Sequence, residues 1–224
     1  FDYPTVEDAA GWLLEQLVED PTLATGGVDS GTRAATHEPL AIIGVGLRMP
    51  GGADDLESFW QVLADERDTL SDIPVERFDM GPLYDEDPDA RGKSYVKRAS
   101  LLDDVTSFDA SFFGISPREA EPLDPQHRLL LEASWTAFED AGLPVGSLKG
   151  TETGVFVGIG PNEYSHHRGR PARDADAYDV TGSHMSFAAG RLAYHMGLQG
   201  PALAVDTACS SSLVAMHLAG EALR

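Results

Sequence analysis

The sequence predicts an α/β domain built on a covered central sheet. Three observations carry that prediction: short apolar runs bounded by glycine recur along the chain, segments of helical hydrophobic period stand between them, and 42% of the 224 residues are apolar, enough for a core. Strands that are apolar at successive positions suit a sheet with helices on both faces.

The first element stands apart. Thr5 suits an N-cap, Glu7 and Asp8 follow in the first turn, and Val6, Ala9, Ala10, Leu13, Leu14 and Leu17 recur at helical spacing until Asp20-Pro21 ends the run. Residues 1–20 are therefore expected to form an isolated amphipathic helix whose apolar face needs a partner. Residues 21–37, rich in Gly, Ala, Thr and Ser and without period, read as a flexible linker.

From residue 38 the pattern alternates. Residues 41–46 read as a strand and 56–65 as a short helix. The stretch 67–107, with Pro74, Pro82, Pro88 and many acids, reads as loops and short surface strands. One long helix is expected over 118–141, closed by Gly142. A second strand follows at 155–158, a helix at 186–195 and a third, buried strand at 202–205, between Gly200 and Asp206.

The only cysteine comes next. Asp206-Thr207-Ala208-Cys209-Ser210-Ser211-Ser212-Leu213 joins the third strand to a segment, Leu213 to Ala219, that is apolar on nearly every side and reads as a helix packed in the middle of the domain. Three serines suit a helix start better than a helix interior, so Cys209 is expected in the first turn. Unpaired N–H groups and the positive helix end there favour a thiolate, and the same N–H groups can hold the oxygen of a thioester as it becomes negative. The alternative for a lone cysteine is an inert, buried, small apolar residue.

Other patterns exclude chemistry. Gly44-Val45-Gly46 and Gly158-Ile159-Gly160 begin like dinucleotide loops, but Met49 and Glu163 occupy the third glycine position. His166-His167 with Arg168 and Arg170 has loop composition and no ligand spacing, so no metal site is assigned. Neither a GxSxG elbow nor a GxxxxGK[ST] loop occurs. Sixteen basic against thirty-seven acidic residues, a net charge of −21, oppose nucleic acid and anionic lipid. No run approaches the roughly 18 apolar residues of a membrane span, and a single cysteine fits a reducing cytoplasm.

Asp206 to Leu213 resembles the active-site signature of ketosynthases, the condensing enzymes of modular polyketide synthases. Further stretches are similar to other signatures of that family, in the same order: Glu38-Pro39-Leu40-Ala41-Ile42-Ile43-Gly44, Met49-Pro50-Gly51-Gly52, Phe108-Asp109-Ala110-Ser111-Phe112-Phe113-Gly114-Ile115-Ser116-Pro117-Arg118, Asp124-Pro125-Gln126-His127-Arg128-Leu129-Leu130 and Ala189-Gly190-Arg191-Leu192-Ala193-Tyr194. His127 departs from the family's more usual Gln and reads as a tolerated surface difference. Phe1-Asp2-Tyr3-Pro4-Thr5-Val6 looks like the start of the last helix of an acyl carrier protein.

The resemblance implies the first half of a thiolase-like, layered α-β-α-β-α fold over residues 38–224, with a carrier-protein helix at 1–20 before it. It implies Cys209 as the catalytic nucleophile of a beta-ketoacyl synthase, an acyltransferase. Cys209 takes an acyl chain as a thioester, and a malonyl-type extender then lengthens it by decarboxylative condensation. The presence of Cys rather than Gln suits an extending enzyme. The family's two catalytic histidines belong to later motifs, so none of His184, His195 and His217 is assigned a role, and the 224-residue chain by itself is expected to be inactive. No cofactor is assigned to it; phosphopantetheine belongs to the partner acyl carrier protein domains. The other implied partners are the remaining ketosynthase half, downstream domains of the same polypeptide and a second copy in a homodimer. Two rivals remain: a non-catalytic dimerisation or docking half-domain, and another thiolase-fold acyltransferase.

Overall fold

Side-chain caps decide where most of the helices begin. In the computed structural model, which describes residues 39–161, 164 and 176–224, Asp55 and Ser58 form a reciprocal capping box that opens α1 (Leu56–Ala64). Ser116 caps α2 (Pro117–Ala120), Asp124 caps α3 (Pro125–Asp140), and Asp176 caps α4 (Ala177–Ser183). Helices α5 (Ser186–Met196) and α6 (Ser211–Ala222) follow among the described residues, with a 3₁₀ turn at Val145–Leu148. The helix expected over 1–20, the linker over 21–37 and the His166-His167 loop lie outside the described residues.

The insert holds a small antiparallel ribbon, β1 (Leu70–Asp72) with β2 (Arg98–Ser100), as the sequence suggests. A second sheet consists of β3 (Val155–Gly158) and β4 (Ala202–Val205). They pair in parallel, Val155 opposite Ala202 and Gly158 opposite Val205. Parallel strands need a crossover, and here it carries α4 and α5.

Side-chain alternation on β3 sorts the layers. Val155 and Val157 join Ala188, Ala189, Leu192, Ala193 and Met196 of α5 in the main core, along with Leu131 of α3. These α5 positions recur at helical spacing and form one face. On the other side of β3, Gly158 lies beneath the first residues of α6. A Cβ added there would meet the Ser212 nitrogen at 2.7 Å and the Ser211 carbonyl carbon at 2.8 Å. Only glycine lets the helix seat so closely on the strand.

Four sequence expectations are corrected. The single helix over 118–141 is two, because Pro122 and Pro125 lack N–H donors and Asp124 caps a new start by accepting the Gln126 N–H at 2.7 Å. Arg128 ties the break together by donating to the carbonyls of Leu123 and Ala120. Residues 41–46 form no ladder. They run extended over α3, where Gly44 and Gly46 bring their backbone against the Ala137 and Ala133 carbonyl oxygens and the Val45 N–H donates to Asp140 at 2.8 Å. Ile42 and Ile43 stay 75% and 67% exposed. The third strand is only partly covered: Ala202 and Leu203 of β4 are exposed. Helix α6, expected to pack against the remaining half of the domain, buries Ser211, Ala215 and Gly220 here and has Leu213 72% and Met216 60% exposed.

The fourth correction concerns His127. It is 1% exposed and not a surface residue. It lies in the first turn of α3, and neither ring nitrogen has a hydrogen-bond partner among the described residues. Burial, and then the nearby Arg191 charge, hold its pKa down at about 4. An unfolded histidine titrates near 6.5, so between pH 6.5 and 4 the unfolded chain binds more protons, and stability rises with pH through that window. At full effect the difference is roughly 3 kcal/mol. Urea titrations of wild type and His127→Gln at pH 7 and pH 4.5 are expected to diverge at the lower pH, with the variant losing less stability; parallel losses would contradict this assignment.

Candidate active site

Cys209 sits on a five-residue turn between the end of β4 and the start of α6, and it is exposed. The helix begins at Ser211, so Cys209 lies just before the first turn and not within it as the sequence suggested. Ser210, in the cap position, makes no side-chain cap. The serine hydroxyls turn backward instead. Ser210 donates to the Thr207 carbonyl at 2.9 Å and pairs with the Thr207 hydroxyl at 2.8 Å, while Ser211 bridges Thr207 and Ala208.

Ala208 holds φ +54, a left-handed conformation disfavoured for a residue with a Cβ. Asp206 helps to hold it by accepting the Ala208 N–H at 3.0 Å. Cys209 is exposed just ahead of α6, unlike the buried, small apolar residue of the inert-core alternative.

The three local histidines occupy other settings. His184 closes α4 and is exposed, and His217 is exposed on α6. His195 is half-buried on α5, where burial and the Arg191 charge lower its pKa against opposing effects of Glu119 and a hydrogen bond with the Phe113 backbone. Among the described residues, no cluster of three or more His, Cys, Asp or Glu side chains could hold a metal ion.

The other signature stretches are structural. Phe108 and Phe113 stack at 5.4 Å, and Phe112 meets Trp135 of α3 edge-on at 4.7 Å. Arg191, within the Ala189 to Tyr194 stretch, pairs with Glu119 and donates to the Thr181 carbonyl, binding α5 to α2 and α4. The apolar pattern of the sequence does not reveal this polar network. The sign available was charge inside otherwise apolar helix faces, at Arg128 and Arg191.

An apolar groove of about 470 Å³ runs along β3, lined by Leu130 and Phe138 of α3, Phe156, Leu192 and, from α6, Ala215 and Met216. One edge of β3 pairs with β4; the other has no partner strand among the described residues.

The described residues form an α/β domain with an exposed cysteine on a strand-to-helix turn. Residues 37–224 match the family described as beta-ketoacyl synthase, N-terminal domain, and the chain belongs to that family. Polyketide synthase GfsB of Streptomyces halstedii is 47% identical over 231 residues, covering all of this chain and 4% of that protein. Mycoketide-CoA synthase of Mycobacterium tuberculosis is 50% identical over 190 residues, covering 84% of this chain and 4% of that protein.

Among solved structures, the oxazolomycin ketosynthase domain OzmH KS7 of Streptomyces albus JA3453 superimposes with a TM-score of 0.74 at 41% identity, covering 82% of this chain and 32% of that one. The ketosynthase from module 6 of the bacillaene synthase of Bacillus subtilis 168 gives 0.67 at 40% identity, covering 82% and 29%. The fold is thus that of a ketosynthase N-terminal region, and the chain spans less than a third of each of these relatives.

Proposed function

We propose that this chain is the acyl-accepting part of a ketosynthase domain in a modular polyketide synthase. The observation that carries the reading is the exposed Cys209 on the strained turn ahead of α6, in a chain of the beta-ketoacyl synthase family. The Cys209 thiolate attacks the thioester carbonyl of an acyl chain on an upstream carrier protein, and the carrier's phosphopantetheine thiol leaves. The acyl-cysteine thioester then meets a carbanion formed when a malonyl-type extender on another carrier loses carbon dioxide. A carbon–carbon bond forms, the Cys209 thiolate is released, and the chain is longer by two backbone carbons. Splitting acyl transfer into two steps lowers each barrier. The Cys209 N–H is the proposed donor to the developing oxyanion.

The surrounding organisation follows from the same reading: a carrier-protein helix at 1–20, a linker at 21–37 and ketosynthase from 38 onward. The exposed apolar faces of α6 and of 41–46 support coverage by the remaining ketosynthase half, and the exposed β4 supports pairing with a second copy. No described helix is long and apolar enough to cross a membrane. A cytoplasmic location is part of the proposal.

Incubating the full polypeptide with a butyryl thioester of N-acetylcysteamine and locating the added mass by peptide mass spectrometry tests the reading. Butyryl on Cys209 alone is expected. An unlabelled Cys209 would favour the docking role and sink the enzymatic one.

A further inference from the structure

The hydroxyl of Ser211 spans the turn that carries the thiol. It accepts the Thr207 N–H at 2.9 Å and donates to the Ala208 carbonyl at 2.7 Å. One side-chain oxygen thus joins the two residues before Cys209, and the second of them is the one in the left-handed conformation. Ser211 is 7% exposed, and its backbone lies against Gly158 of β3, so the Ser211 end of the bracket is fixed. Ser210 differs: it is exposed, and both of its bonds go to Thr207 alone, leaving Ala208 untouched.

Accepting Cys209 as the acyl acceptor, we infer that Ser211 is its positioning residue, locking Thr207 and Ala208 into the geometry that aims the sulfur toward the incoming thioester. Ser211 touches neither the substrate nor the reacting atoms. It acts through the backbone, and the loss of its hydroxyl lets Ala208 relax toward the ordinary right-handed or extended regions, carrying Cys209 with it.

Threonine and valine at this position have nearly the same shape and differ by the hydroxyl. In the full polypeptide, Ser211→Thr is expected to keep the saturating rate of Cys209 acylation by the butyryl thioester. Ser211→Val is expected to lower it about tenfold or more with little change in half-saturating concentration, as for a misaimed nucleophile. Adding Ala208→Gly to Ser211→Val should restore part of the rate, because glycine adopts the left-handed conformation unaided. Ser210→Ala should stay near wild type. Equal rates for the Thr and Val variants, or a Val deficit untouched by Ala208→Gly, would overturn the inference.

Iodoacetamide alkylation of Cys209 in the same variants keeps the two readings apart. If wild type takes no butyryl group, the enzymatic proposal fails, while the alkylation order Thr above Val still supports positioning and an equal order refutes it.

Discussion

With Cys209 as the proposed acyl acceptor, Cys209→Ala is expected to leave the full polypeptide without acyl uptake or condensation, a loss of roughly 10³-fold or more, as when a covalent nucleophile is removed. The fold should not notice. Cys209 is exposed, and surface substitutions away from special backbone positions usually stay within about 0.5 kcal/mol. The measurement is therefore paired: turnover of a carrier-bound acyl chain, and the thermal midpoint of the same preparation. Activity lost at an unchanged midpoint assigns the sulfur to chemistry. Retained condensation would mean that another group takes the acyl chain.

The second large effect is on stability. At Gly158 a methyl group would stand 2.7 Å from the Ser212 nitrogen and 2.8 Å from the Ser211 carbonyl carbon, both backbone atoms that no rotamer change can clear. Gly158→Ala must push α6 off β3, and overpacking of this kind costs about 1–3 kcal/mol, with backbone obstruction toward the upper end. A lower urea midpoint is expected, together with slower acylation, since the displaced residues are those that hold the Cys209 turn. A midpoint equal to wild type would show that the strand and helix have room to spare between them.

Much of the architecture was legible in the sequence because it depends on local pattern. The bounds of β3 and β4 follow from four-residue apolar runs set off by glycine and proline, and α5 from the spacing of Ala188, Ala189, Leu192, Ala193 and Met196. The break in the long helix was also written locally, in Pro122 and Pro125, but a continuous helical period around it masked the signal. Helix α4 was missed because its seven residues include a glycine and a threonine and show no apolar stripe, so that its capping box is its main mark. The position of Cys209 was legible to within two residues. The backward-facing serines were not, since Ser at a helix start suggests a cap and only the turn geometry reveals the other use.

Burial was the least legible property. His127 looks like a surface residue in sequence because its neighbours Gln126 and Arg128 are polar, yet the first turn of α3 faces inward. Ala202 and Leu203 look like core and are exposed. Each error has the same cause: a pattern tells which residues share a face, not what that face meets.

The pairing of β3 with β4 also bears on how the thiol comes into being. Val155 and Ala202 are partners across a wide loop of chain, and closing so distant a contact is slow compared with winding a helix. The bracket around Cys209 depends on that closure, because Gly158 supplies its floor. On the proposed reading, the geometry of the Cys209 turn is therefore expected to form together with the β3–β4 pairing and not before it.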